Sequence, residues 1–263
     1  MTNSLGTALI TGASEGIGAA YAERLAQRGY NLVLVARNAE KLEALAASIG
    51  GATGRNIEVL PADLTDRIDL ARVEARLRTD PAIDLLVNNA GLSTVSAFAD
   101  LTSAQVSAIL DLNVTALARL AWAATGPMAT RGKGTIINIG SVVSVALLPN
   151  AALYGATKAF VLTLTQALDA ELAGKGLRFQ AVLPGATRTD LWAKSGLPVE
   201  HLPQEIVMET EAMVDAALAG FDQGELVTIP ALVDVDGWNQ LETARLALNG
   251  KLSSAHPAPR YLA

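Results

Sequence analysis

Thr7-Ala8-Leu9-Ile10-Thr11-Gly12-Ala13-Ser14-Glu15-Gly16-Ile17-Gly18 joins a short apolar run to a glycine-rich turn and the start of a helix-period segment. The run 7–11 has the length and nearly continuous apolarity of a strand covered on both faces. Over residues 17–28 the apolar side chains recur at helical spacing. Glycines between a strand and a helix let the chain turn tightly. They also bring backbone N–H groups against an anion at the positive helix end, a geometry suited to a pyrophosphate. The spacing here is Gly-x3-Gly-x-Gly. Such a turn is weak evidence by itself; its place between a first strand and a first helix gives it weight.

The alternation continues outward from this stretch. Strands are expected at 31–36, 56–60, 85–88, 135–139, 178–183 and 226–229, and helices at 40–49, 68–78, 103–128 and 151–173. Strands separated by helices argue for βαβ units and a parallel sheet. Thr102 or Ser103 suits the N-cap of the fourth helix, and Gly132 and Gly134 mark its exit. Residues 50–54 read as a local turn. No linker, charge run or repeat divides the chain, so a single domain is expected over 1–263, with a C-terminal extension at 231–263 that holds a helix at 236–248. Segments 114–124 and 151–168 are apolar on more than one face. Burial within one chain would explain that; self-association as a homodimer or homotetramer is the favoured expectation.

Composition narrows the chemistry. The 263 residues carry a net charge of −6, which argues against nucleic acid or an anionic membrane as a partner. There is no cysteine, so disulfides, thiolate nucleophiles and Cys-ligated metals are excluded. With His201 and His256 the only histidines, no metal site is expected. No uninterrupted apolar stretch reaches membrane-spanning length, and residues 1–6 lack the pattern of a signal peptide, so a cytoplasmic location is expected.

Further motifs stand in order along the chain: Ala62-Asp63-Leu64 after the third strand, Asn88-Asn89-Ala90-Gly91 after the fourth, Gly140-Ser141 after the fifth, Tyr154-Gly155-Ala156-Thr157-Lys158 on a helix, and Pro184-Gly185 with Thr187 and Thr189 after the sixth. Together with Thr11–Gly18 they resemble the short-chain dehydrogenase/reductase family over residues 7–190. The resemblance implies a Rossmann-type, doubly wound α/β fold, with a mostly parallel seven-stranded sheet and helices on both faces. It also implies hydride transfer between a nicotinamide dinucleotide and a carbonyl/alcohol pair. Asp63 is similar to the acid that meets the adenine amino group, and Pro184–Thr189 to the segment contacting the nicotinamide. The implied cofactor set is Gly12, Ser14, Glu15, Gly16, Ile17, Gly18, Arg37, Asp63, Leu64, Asn89, Ala90, Gly91, Tyr154, Lys158, Pro184, Gly185, Thr187 and Thr189.

Cofactor choice turns on Leu34-Val35-Ala36-Arg37. NAD(H) sites usually place an acid at the end of the second strand to hold the ribose 2′-OH. Here that place is Ala36, followed by an arginine whose fork suits a 2′-phosphate. NADP(H) is therefore the expected cofactor and NAD(H) the alternative; Glu15 in the turn is a counter-signal. A non-catalytic dinucleotide-binding protein is a third reading.

Tyr154 and Lys158 lie four residues apart and so share one helix face. A phenol titrating at about 10 can donate a proton to a developing alkoxide. A nearby ammonium favours phenolate, so Lys158 is expected to draw Tyr154 downward. The resemblance assigns Ser141 to the substrate oxygen, Asn113 to a water joining the lysine to solvent, and Lys158 also to the nicotinamide ribose. Where many relatives carry Ser-Ser, this chain has Gly140-Ser141. Residues 186–204 correspond to a substrate lid. In it Leu191 and Trp192 read equally as pocket wall or as a cap on the core. Val142, Val143, Leu147, Leu148 and Leu153 flank Ser141 and Tyr154, which suggests a substrate with an apolar part.

Overall fold

The computed structural model describes residues 5–172 and 174–262. They fall into two compact units, one ending at Pro230 and one beginning at Ala231.

In the larger unit, seven parallel strands form one sheet: β1 (Thr7–Thr11), β2 (Asn31–Ala36), β3 (Ile57–Pro61), β4 (Ile83–Asn88), β5 (Gly134–Ile139), β6 (Leu177–Val182) and β7 (Val227–Thr228). Their order is β3-β2-β1-β4-β5-β6-β7. Connections run outward in opposite directions from β1 and β4, so a crevice opens where these two strands diverge. Alternate residues face opposite sides of the sheet. Ala8, Ile10, Leu32 and Leu34 pack beneath α1 (Gly16–Gln27) and α2 (Ala39–Thr53). Leu9, Val33 and Val35 face the other layer, built from α3 (Arg67–Thr79), α5 (Leu117–Arg131) and α6 (Ala152–Glu171), with α4 (Ser103–Leu110) packed on α6. Two buried layers account for the nearly unbroken apolar runs.

The expected helix at 103–128 is one continuous rod to Arg131, started by a Thr102–Gln105 capping box. It is not uniform: Asp111–Ala116 forms a wide π-type turn joining α4 to α5. By length and composition the rod could cross a membrane. Here it packs against α3, β4 and β5, and Arg119 pairs with Glu74. Residues 50–54 are not a separate turn, because α2 continues to Thr53 and ends at Gly54 with φ +67°. Of the helix expected at 151–173, Ala173 lies outside the described residues.

Sequence reading missed α8 (Thr210–Gln223), which buries Met213, Val214, Ala217 and Leu218 on the α1 side. Before it, α7 (Leu191–Lys194) is a single turn. The second unit holds α9 (Asp236–Leu246), on which no residue is buried.

A polar chain crosses the apolar layer behind the crevice. Asn88 donates to Asn138 (3.0 Å), and Asn138 donates to Thr165 on α6 (2.9 Å). All three are buried. Asn138→Ala takes one hydrogen bond from each of two buried partners, and a loss of about 2 kcal/mol is expected in urea unfolding.

Candidate active site

The crevice is built by turns at the carboxyl ends of β1 to β6. Gly12 and Gly16 adopt φ of +64° and +55°, conformations that side chains resist. A Cβ on Gly12 would lie 2.8 Å from Asn89 Nδ2, and one on Gly18 would lie 2.6 Å from the same atom while overlapping the Gly12 carbonyl. The glycines thus let the first turn close on the fourth. Asn89 Nδ2 donates to the carbonyls of Thr11 (3.0 Å) and Gly12 (3.2 Å). Thr11 Oγ1 accepts from the Asn89 and Ala90 amides.

The nucleotide side of the cleft is lined by Gly12, Ser14, Glu15, Gly16, Ile17, Ala36, Arg37, Asp63, Leu64, Asn89, Ala90, Gly91 and Thr189. Gly18 lies behind it, packed on Gly12. Asp63 accepts from the Thr65 amide and hydroxyl. Those bonds and the Arg37 charge outweigh burial, the largest single influence, and hold its carboxyl below the usual range. A cradle of backbone without Cβ atoms, an acid and an arginine fits a dinucleotide.

The cleft continues through Ile17, Asn89, Gly91 and Leu191 into a second cavity lined by Ser141, Tyr154, Lys158, Pro184, Gly185 and Thr187. Tyr154 and Lys158 occupy successive turns of α6, and the Lys158 ammonium lies 5.6 Å from the Tyr154 ring centre. Lys158 Nζ donates to the Ile139 carbonyl at 2.8 Å. Burial pulls its pKa down to about 8. Burial pushes the Tyr154 phenol up to about 12, against a hydrogen bond from Ser141. The expected lowering of Tyr154 by Lys158 is thus not found: desolvation dominates.

Asn113 lies in the wide turn, buried, outside both cavities. Its Oδ1 accepts from the Leu92 amide at 2.8 Å, and its Nδ2 donates to the Leu92 carbonyl and to Thr157 on α6. Its side chain therefore fastens the loop after β4 to the helix carrying Tyr154 and Lys158.

The chain also resembles known proteins. Residues 6–198 match the short chain dehydrogenase family. The chain belongs to that family of oxidoreductases. A short-chain dehydrogenase from Sphingobium yanoikuyae, solved in complex with NADPH, is 50% identical, with a TM-score of 0.95 covering 98% of this chain and all of that one. The bulky-bulky ketone specific alcohol dehydrogenase from Comamonas testosteroni is 49% identical, with a TM-score of 0.92 over 99% of this chain and all of that one. The 17-beta-hydroxysteroid dehydrogenase type 3 of Rattus norvegicus is 35% identical over 186 residues. That match covers 70% of this chain and 60% of the rat protein's length.

In this short-chain dehydrogenase, Leu191 and Trp192 line the second cavity, and the Trp192 indole N–H donates to the Thr187 carbonyl at 2.9 Å. Val142, Val143 and Leu148 also line it, whereas Leu147 is 97% exposed and Leu153 is not on the wall. Sequence reasoning missed Val95, Leu197, Leu202 and Ile206 on the wall. They come from loops without periodicity and converge only in three dimensions. It also missed Lys194 in the nucleotide cleft.

Because the folded pKa of Lys158 lies below its ordinary 10.5, the charged form burdens the fold below pH 8, and this burden lifts as pH rises toward 10. A shift of that size corresponds to about 3 kcal/mol. Lys158→Met is expected to melt higher than the parent at pH 7, with the gap narrowing by pH 10. Thermal unfolding at the two pH values checks this.

Proposed function

We propose that the chain transfers a hydride between NADP(H) and an apolar ketone or the corresponding secondary alcohol, with Tyr154 as general acid and base. The observation that carries this reading is the meeting of Ser141, Tyr154 and Lys158 in an apolar cavity that opens into the glycine-lined cleft.

When bound, the cofactor supplies or accepts the hydride. Gly12, Gly16, Ile17 and the Asn89–Gly91 turn would hold its phosphates and ribose, with Thr187 and Thr189 toward the nicotinamide. Lys158 would hold the nicotinamide ribose. Ala36 in place of an acid, with Arg37 beside it on the cleft wall, favours a 2′-phosphate. The NADPH held by the Sphingobium neighbour points the same way.

At neutral pH a phenol titrating near 12 keeps its proton, so Tyr154 is suited to donate it to the oxygen of a carbonyl being reduced. Ser141 Oγ can donate to the same oxygen as negative charge grows there. Among the residues lining the substrate cavity, Lys158 is the single charged one. With no arginine, nor a second lysine, to receive a carboxylate or phosphate, the cavity favours uncharged substrates. Val95, Val142, Leu148, Trp192, Leu202 and Ile206 supply apolar wall on several sides of the reacting centre. The specificity of the Comamonas neighbour for bulky-bulky ketones is consistent with such a cavity. Residues 186–204 act as the lid over it, and the enzyme works as a homodimer or homotetramer.

Tyr154→Phe is expected to bind NADPH normally by fluorescence titration while ketone reduction falls by roughly 10²-fold or more, the scale of general acid catalysis. Retained turnover would remove Tyr154 from the mechanism. Arg37→Asp is expected to move the ratio of NADPH to NADH affinity toward NADH in the same titration.

A further inference from the structure

Glu15 sits in the glycine-rich turn and on the wall of the nucleotide cleft, where a bare carboxylate would oppose an additional phosphate. Two lysines remote in sequence converge on it. Lys41, in the first turn of α2, reaches Oε2 at 2.7 Å, and Lys194, on α7, reaches Oε1. Each carboxylate oxygen thus has its own ammonium. Both contacts hold the Glu15 carboxyl below the usual range, the Lys194 bond most strongly. The two lysines are not equivalent. Lys194 lines the cleft together with Arg37, Asp63 and Asp190, while Lys41 stands outside it.

We propose that Lys194 is a cofactor-specificity residue acting through Glu15: by covering Oε1, the oxygen that Lys41 leaves open, from the cleft side, Lys194 offsets the charge that the glycine turn would otherwise present to the 2′-phosphate of NADP(H). This rests on the NADP(H) reading above. It accounts for an acid in the turn of a chain whose second strand ends in Ala36-Arg37. The compensating charge that faces the cleft is carried on the segment that follows β6, and its companion Lys41 on α2, rather than in the turn itself. Tolerance of the extra phosphate therefore depends on α7 lying against the turn, which couples cofactor choice to the 186–204 segment.

The test is equilibrium titration of NADPH and NADH, followed by calorimetry, against the parent protein, Lys194→Met, Glu15→Gln and the double variant. Removing Lys194 leaves Glu15 with Lys41 alone and opens Oε1 toward the cleft. At the spacing of neighbouring charges near a protein surface this corresponds to a weakening of about fivefold or more for NADPH. NADH, which lacks the 2′-phosphate, is expected to change by about twofold or less on the same grounds. The double variant removes the two opposite charges together, so its NADPH affinity should return to that of the parent. An unchanged NADPH-to-NADH ratio in Lys194→Met overturns the proposal. So does a loss that persists in the double variant, since Lys194 would then touch the phosphate itself. A parent protein that binds NADPH no better than NADH removes the cofactor reading and this inference with it. A parent that prefers NADPH beside an unchanged Lys194→Met removes this inference alone. Both lysines and Glu15 are at least partly exposed, so these variants leave the core intact.

Discussion

The contact between the turns after β1 and β4 is the constraint on which the site depends. Asn89 Nδ2 donates to the carbonyls of Thr11 and Gly12, and Thr11 Oγ1 accepts from two amides of the turn after β4. That closeness exists because Gly12 and Gly18 carry no Cβ where Asn89 and the Gly12 carbonyl lie. The two strands then part, and everything with chemistry to do is delivered to the crevice they leave. A parallel sheet places all its carboxyl ends on one edge, so residues as distant as Ser14, Asp63, Ser141 and Thr187 meet there.

Placement of Tyr154 and Lys158 is a second consequence of packing. The helix α6 is fastened at two heights by buried polar contacts, Asn113 to Thr157 and Asn138 to Thr165. Between and above them, Tyr154 and Lys158 face the cavity. Burial then acts on the two groups in opposite senses, keeping the phenol protonated and easing the ammonium toward neutrality. A buried lysine is a cost to stability, of the kind found where function and stability compete.

Much of this was legible in the sequence because its signals are local. The limits of β1 and β2 follow from apolar runs bounded by polar or glycine residues. Even so, β3 extends to Pro61, which lacks an amide to pair; an edge position makes that tolerable. The wide turn around Asn113 left no trace, since its residues suit an ordinary helix as well. The helix α8 went unread although Met213, Val214, Ala217 and Leu218 have helical spacing, because its N-cap, Glu209, makes no side-chain cap hydrogen bond and so gives no start signal. What no local pattern could reveal is convergence across the chain. Lys194 meets Glu15 from 179 residues away, and the wall residues Val95 and Ile206 come from different loops. Desolvation of Tyr154 was likewise invisible, since it depends on what three-dimensional packing excludes.

The most direct test of the central claim is isotope transfer. The protein is supplied with NADPH deuterated on one face of the nicotinamide C4 and with a ketone flanked by two bulky apolar groups, and the alcohol is examined by NMR. Deuterium on the carbinol carbon from one face of C4, and none from the opposite face, is the predicted result. Alcohol carrying hydrogen from solvent at that carbon, or label left in the cofactor while both compounds are bound, would contradict the account.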